Sequence, residues 1–238
     1  MRVPAVDFWL ICKARLKHIS VLRIGLLLVC ALLAWPACAD PGPTFEVDFS
    51  NPGLVPSHWV LEFKGDGSGH FQSHRGTAPP DSTRISMDAP DIDRDIQLSA
   101  GFVQHVFQVA RRHKLFQSGC ESHLKVAFQG IKKLTYSGPD GQGSCEFNFS
   151  RDNEIQTLGD SLVAVAATIV EGAKLELLLQ HDKLGLDKEM EDMEEAAGDG
   201  RLQQIGVIRD ILERLEQDSA VMERVRKRAK VLLARAAD

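Results

Sequence analysis

Residues 59–71, Trp59-Val60-Leu61-Glu62-Phe63-Lys64-Gly65-Asp66-Gly67-Ser68-Gly69-His70-Phe71, decide the fold class. Strand-favouring side chains run to Phe63, a Gly-rich turn follows, and the chain re-enters extended sequence at Phe71, which is the signature of a β-hairpin. Setting Phe63 opposite Phe71 places Trp59, Leu61, Phe63 and Phe71 on one face. Val60, Glu62 and Lys64 then share the other face with His70, Gln72 and His74. A one-residue slip would mix the two sets, so burial of a single face selects this register.

On the N-terminal side, residues 40–56 are Pro- and Gly-containing around Phe45-Glu46-Val47-Asp48-Phe49, and read as an extended arm or an edge strand. On the C-terminal side, residues 75–82 form a loop, and short extended pieces are expected at 84–87 and 95–98. Ser99 then serves as N-cap of a helix reaching about Phe116. Phe102, Val103, Val106, Phe107 and Ala110 follow helical spacing, and Arg111, Arg112, His113 and Lys114 complement the dipole at its end. Strands are expected at 124–128, 131–136 and 145–149, joined by Gln129-Gly130 and by Gly138-Pro139-Asp140-Gly141 into an antiparallel meander.

Five cysteines occur, and three of them (Cys12, Cys30, Cys38) lie in a leader-like segment, residues 1–39. There Lys13, Arg15, Lys17 and Arg23 precede an apolar run from Ile24 to Leu33, and Ala37-Cys38-Ala39 supplies small residues for cleavage between Ala39 and Asp40. The run is well short of the ~20 residues that span a bilayer as a helix. The alternative, a lipid on Cys38, lacks the usual apolar residue three positions before it, where Trp35 stands. Loss of the leader removes five of 28 basic and one of 33 acidic residues, taking the net charge from −5 to −9. Such a chain is poorly suited to hold nucleic acid or anionic lipid through bulk charge. Cys120 and Cys145 remain, and an even pair in an exported chain reads as a disulfide. The meander brings them together if the segment before Leu124 curls across the end of its middle strand.

From Asn153 onward the pattern is helical. Ile155, Leu158, Leu162, Val165, Ala166 and Ile169 form one stripe in a helix expected over residues 153–184, continued by Leu175, Leu178 and Leu179. Gly185 with Leu186-Asp187 marks a stop and a new N-cap, and Gly198-Asp199-Gly200 breaks the chain again. A long helix with Leu202, Ile205, Ile208, Leu212 and Leu215 in phase follows, and the phase slips near Asp218-Ser219. The architecture is therefore α+β: an antiparallel, disulfide-stapled sheet with one packed helix (57–151), preceded by the leader (1–39) and arm (40–56) and followed by a helical region (152–238).

Motifs with chemistry are few. Asp91, Asp93 and Asp95 resemble the start of a calcium loop, but its sixth and twelfth positions hold Ile96 and Phe102 in place of Gly and Glu, so a solvated acidic turn is expected. His70 and His74 lie roughly 13 Å apart on one strand, too far to share an ion. No Gly-x-Ser-x-Gly elbow or phosphate loop occurs. No cofactor or metal is implied.

The most unusual feature is charge segregation in the C-terminal helices. An acidic run (Glu191, Asp192, Glu194, Glu195) is separated from a basic run (Arg224, Arg226, Lys227, Arg228). In a simple hairpin turning near Asp199 their centres lie roughly 11 Å and 42 Å from the turn, so they cannot pair there. They form either two solvated faces or complementary patches, a candidate surface for a protein partner or a second copy. The expected function is a secreted or periplasmic, non-enzymatic interaction protein, with no nucleic-acid partner and no membrane span in the mature chain. A small secreted hydrolase or ligand carrier with a site on the sheet, and an envelope lipoprotein anchored at Cys38, are the alternatives.

Overall fold

The computed structural model describes residues 42–74, 76 and 91–236. The expected leader with its expected cleavage point at Ala39 and Asp40, and the piece expected at 84–87, lie outside the described residues. Among the described residues six strands, β1 (Thr44–Ser50), β2 (His58–Lys64), β3 (Ser68–His74), β4 (Ile92–Gln97), β5 (Ile131–Gly138) and β6 (Gly141–Phe147), form one antiparallel sheet in the order β4-β3-β2-β1-β5-β6. Among the described residues five α-helices accompany it: α1 (Ala100–Arg112), α2 (Asn153–His181), α3 (Gly185–Gly198), α4 (Arg209–Gln217) and α5 (Glu223–Arg235). The α+β class, the disulfide and the helical C-terminal region follow the sequence reading.

The β2–β3 hairpin keeps the expected faces and changes the expected register. Leu61 pairs with Phe71 and Phe63 with Gly69, a shift of two residues relative to Phe63 opposite Phe71. The turn is tighter than the Gly-rich stretch requires. Gly67, at φ +84°, donates its N–H to the Lys64 carbonyl, and Asp66 accepts from the Ser68 N–H and hydroxyl. An even shift returns every side chain to the same face. Trp59, Leu61, Phe63 and Phe71 are buried, while Glu62, Gln72 and His74 are exposed.

β1 is neither an arm nor an edge. It lies inside the sheet, pairing with β2 through Val47–Leu61 and with β5 through Val47–Leu134. Phe45, Val47 and Phe49 all point to the buried face. Position β1 also takes the flank of β5 that a 124–128 strand would need. Accordingly residues 120–130 contain no strand, and the meander reduces to the β5–β6 hairpin, with β6 starting four residues before Cys145. The strand expected at 95–98 is β4, which begins three residues earlier.

Helix α1 crosses the sheet from β4 towards β5. Ser99 Oγ accepts from Phe102 N at 3.4 Å. Phe107 sets its ring edge-on to Phe45, Phe63 and Tyr136. The helix stops at Arg112 rather than Phe116, because Lys114, Leu115 and Phe116 adopt left-handed φ values of 51°, 56° and 63°. That reversal buries Phe116 edge-on to Phe45. α2 is capped by the Asp152 carboxylate and buries the expected stripe from Ile155 to Leu178, with Leu179 half-buried. It ends at His181, three residues before the expected stop. Asp182, rather than Asp187, accepts the N–H groups of Leu184 and Gly185 at the start of α3. Residues 201–204 are not helical, so the expected single long helix is a short 3₁₀ turn (Ile205–Ile208) and α4, and the break at Asp218 leads into α5. A single buried cluster joins the sheet and the helices.

Candidate functional site

The two charge runs meet within the chain. Their separation assumed a straight helix after Gly200; because the chain reverses after Gln217, α5 returns alongside α3. Arg224 Nε lies 2.7 Å from Asp187. Arg228 contacts Asp187 at 2.8 Å, Glu191 at 3.4 Å and Glu194 at 3.6 Å. Asp192 pairs with Lys188, Glu195 with Arg201, and Lys227 with Glu223. Arg226 sits apart from this network, its Nε buried without a hydrogen-bond partner among the described residues. The acidic and basic runs thus serve first as an internal staple between α3 and α5, with Arg228 at its centre.

Beneath them, α2 and α3 enclose a polar cluster absent from the expectations. Lys174 Nζ lies 2.5 Å from Glu189 and 3.6 Å from Glu171. Burial, reinforced by the neighbouring Glu189 carboxylate, raises the Glu171 carboxyl to about 7. Despite the desolvation that opposes it, the two carboxylates hold the Lys174 ammonium above its ordinary value. Only a helical wheel combined with the α2–α3 pairing would have shown this cluster.

The face of the sheet turned away from the helices is polar and carries the three histidines. His58 Nε2 lies 2.9 Å from Asp48 and its ring stacks on His74, centroids 6.2 Å apart. His70 sits between Asp95 (2.9 Å) and Asp93 (3.1 Å), and the hydrogen bond it donates to Asp95, with the nearby Asp93 charge, raises its pKa. Asp93 and Asp95, read as an acidic turn, lie inside β4 as the cross-strand partners of Gln72 and His70 in β3. His113, which has no carboxylate at ligand spacing in sequence, lies 2.6 Å from Glu154 and 3.4 Å from Asp152 at the start of α2. Among the described residues no group of three or more His, Cys, Asp or Glu side chains is placed to hold a metal ion. No helix of the described residues is long and apolar enough to cross a membrane.

The segment excluded from the sheet has the most unusual exposure. Cys120 bonds Cys145 with Cα atoms 5.6 Å apart, and from there the chain arches over residues 121–130. Its feet are held by side chains instead of a strand ladder. Glu121 accepts from His123 N at 3.0 Å and Asn148 N at 2.7 Å, and Ser122 N donates to the Phe149 carbonyl. At the other foot Asn148 accepts from Gln129 N at 2.7 Å and donates to the Ala127 carbonyl at 3.2 Å. These bonds hold the Glu121 carboxyl below its ordinary value, the Asn148 N–H foremost. Between the feet every side chain from 123 to 129 is exposed, including Leu124 (45%), Val126 (40%) and Phe128 (56%). Large exposed apolar side chains are ordinary when scattered; three within five residues on a pinned arch form a patch. His123 and Lys125 lie among them.

No protein-family model and no curated protein matches the chain.

Proposed function

We propose that this is an exported, non-enzymatic binding protein that recognises a partner protein through the arch at 123–129. The observation that carries the reading is the apolar ridge of Leu124, Val126 and Phe128, held in place by a disulfide and by the Glu121 and Asn148 side chains. A pre-ordered apolar surface loses little conformational freedom on binding, which favours it as an anchor. Lys125 adds positive charge to a chain of negative net charge, so the fitting partner presents apolar side chains beside carboxylates. This moves the recognition surface away from the C-terminal helices, where Arg224 and Arg228 are engaged with Asp187, Glu191 and Glu194. Export rests on the leader pattern of residues 1–39 and suits the Cys120–Cys145 bond, since disulfides persist in oxidising compartments.

A photoreactive residue placed at Phe128 in the producing cell tests the surface, with Leu184, a solitary exposed side chain at 79%, as the comparison position. A discrete protein adduct is expected from 128 and none from 184. Equal yields from both positions, or none from 128, would remove the arch as the surface. Mass measurement of the exported chain tests the leader: Asp40 is the expected first residue, and a lipid-bearing Cys38 or an intact leader would contradict it.

A further inference from the structure

Beside the foot of the arch lies a lysine in an unusual place. Lys132, the second residue of β5, shares the helix-facing side of the sheet with Leu134 and Tyr136 and is 2% exposed. Its stem passes over α2 where Gly159 stands; a Cβ there would come within 2.9 Å of Lys132 Cδ. The amine has only distant polar company: the Asn148 carbonyl at 3.5 Å and the Asp160 carboxylate at 3.8 Å, with the Phe147 ring centroid at 5.5 Å. Asp160 is in turn held by both of its oxygens, at 3.0 Å, to the Gln156 amide. Lys132 and Asp160 line a cleft of about 390 Å³, walled by Val163, Ala164 and Ala167 of α2 and closed by Gln129 and residues 199–201. Arg201, at the rim, is engaged with Asp199 at 2.8 Å and Glu195 at 3.8 Å.

We propose that this cleft captures small carbonyl compounds, with Lys132 as the condensing amine and the Val163, Ala164 and Ala167 wall receiving the aliphatic part of an aldehyde or ketone. The burial that isolates the amine also lowers its pKa, against the opposing pull of Asp160, which raises its share of free amine above that of an exposed lysine. Each unit of lowering gives about tenfold more free amine at neutral pH. The step is a condensation without redox change. The Nζ lone pair forms a bond to the carbonyl carbon, and the oxygen takes up a proton to give a carbinolamine. The C–O bond then breaks, water leaves, and nitrogen loses its second proton, leaving an imine. Asp160 is the positioned carboxylate that accepts a proton from nitrogen and returns one to the departing hydroxyl. Desolvation of a lysine amine is one of the ways it is activated for condensation with a carbonyl. The proposal does not rest on the arch as a protein-binding surface, although Gln129 belongs to both.

The full chain is treated at pH 7 with propionaldehyde and cyanoborohydride, which reduces the imine to a stable amine, and each lysine is followed by peptide mass spectrometry. Lys132 is expected to be modified faster than the exposed Lys64, Lys125 and Lys133. Rates at Lys132 equal to or below those of the exposed lysines would overturn the proposal. A cleft-filling Ala167→Leu variant, shown to be folded by circular dichroism, separates capture in the cleft from reaction after local opening. It should suppress modification at Lys132 alone. Undiminished modification at Lys132 in that variant would show that the cleft is not the site.

Discussion

Two pentapeptides of this chain, Trp59-Val60-Leu61-Glu62-Phe63 and Leu124-Lys125-Val126-Ala127-Phe128, place large apolar side chains at alternate positions, yet only the first lies in the sheet. Period-two patterning describes what a segment does once it is paired; it does not decide which segments pair. The first pentapeptide is followed by a turn that brings its own partner back within a few residues, so its pairing is local. The second needed the free flank of β5. β1 holds that flank over seven residue pairs and buries Phe45, Val47 and Phe49. Two phenylalanines and a valine, flanked on both sides by strands, outweigh the leucine, valine and phenylalanine of the arch, and the loser is left exposed.

The comparison is sharpest at the closing phenylalanine of each pentapeptide. Phe63 is fully buried, stacked on Phe45 with ring centroids 5.4 Å apart and edge-on to Phe107. Phe63→Ala should cost about 3–5 kcal/mol in denaturant unfolding. Phe128→Ala should stay within about 0.5 kcal/mol, as surface changes do. A cost above ~2 kcal/mol at Phe128 would mean that the arch packs on something, and would break the contrast.

Removing the staple tests whether the arch is held by its ends. The Cys120–Cys145 bond closes 25 residues of separation, a loop for which chain entropy alone gives about 3.5 kcal/mol. The Cys120→Ser, Cys145→Ser double variant should lose about 2–4 kcal/mol and speed amide exchange across 121–130 more than in β2 and β3. Uniform acceleration of all three segments would show that the disulfide stabilises the whole sheet without specifically holding the arch.

Gly130 ends the arch at φ +106°, and a Cβ there would collide with the Phe49 ring. Gly130→Ala should therefore cost about 1–3 kcal/mol. The fluorescence of a reporter placed at residue 128 should change while that of Trp59, at the far side of the stacked Phe49 ring, also responds. A neutral substitution would imply that the turn into β5 adapts freely.

How much of this was legible follows from which interactions are local. The hairpin faces, the Ser99 cap and the α2 stripe could be read because their causes lie within a few residues. The disulfide could be read because only two thiols remain after the leader. The route by which the thiols meet could not, since it depends on β1 displacing the arch. The two-residue register shift escaped for a related reason: an even shift leaves the burial pattern unchanged, and Gly69 opposite Phe63 is decided by the turn. Arg228 meeting Asp187, Glu191 and Glu194 depended on the chain reversing after α4, which the phase slip at Asp218 signalled without giving its direction. The exposure of Leu124, Val126 and Phe128 and the burial of Lys132 run against residue type, so no composition argument reaches them. Those are the positions on which the functional proposals rest.

The smallest effect expected is a pH dependence that touches one pentapeptide and spares the other. Glu171 holds its proton in the folded chain up to about pH 7, against an ordinary value of 4.5, because it is buried and faces Glu189. Below about pH 4.5 the carboxyl is protonated in both folded and unfolded chains, and contributes nothing to the difference. Between about 4.5 and 7 the unfolded chain has released its proton while the folded chain retains it, so stability falls as pH rises. Above about 7 both are ionised and the loss is complete. Two and a half units would amount to about 3.4 kcal/mol in full; with part of the Glu171 side chain in solvent and Lys174 nearby, about 1–2 kcal/mol is expected. His70 acts in the same direction over a higher window, since its raised pKa gives stability that is lost as pH climbs past it. Amides of β2 and β3 that exchange only through global unfolding should therefore lose protection, corrected for intrinsic rates, by about 5- to 30-fold between pH 5 and 8. Arch amides, which open locally, should keep theirs. Glu171→Gln, which stays uncharged throughout, should flatten most of the dependence in β2 and β3. If the dependence persists in that variant, Glu171 is not its source; if the arch follows β2 and β3, the arch unfolds with the sheet and the two pentapeptides share one stability after all.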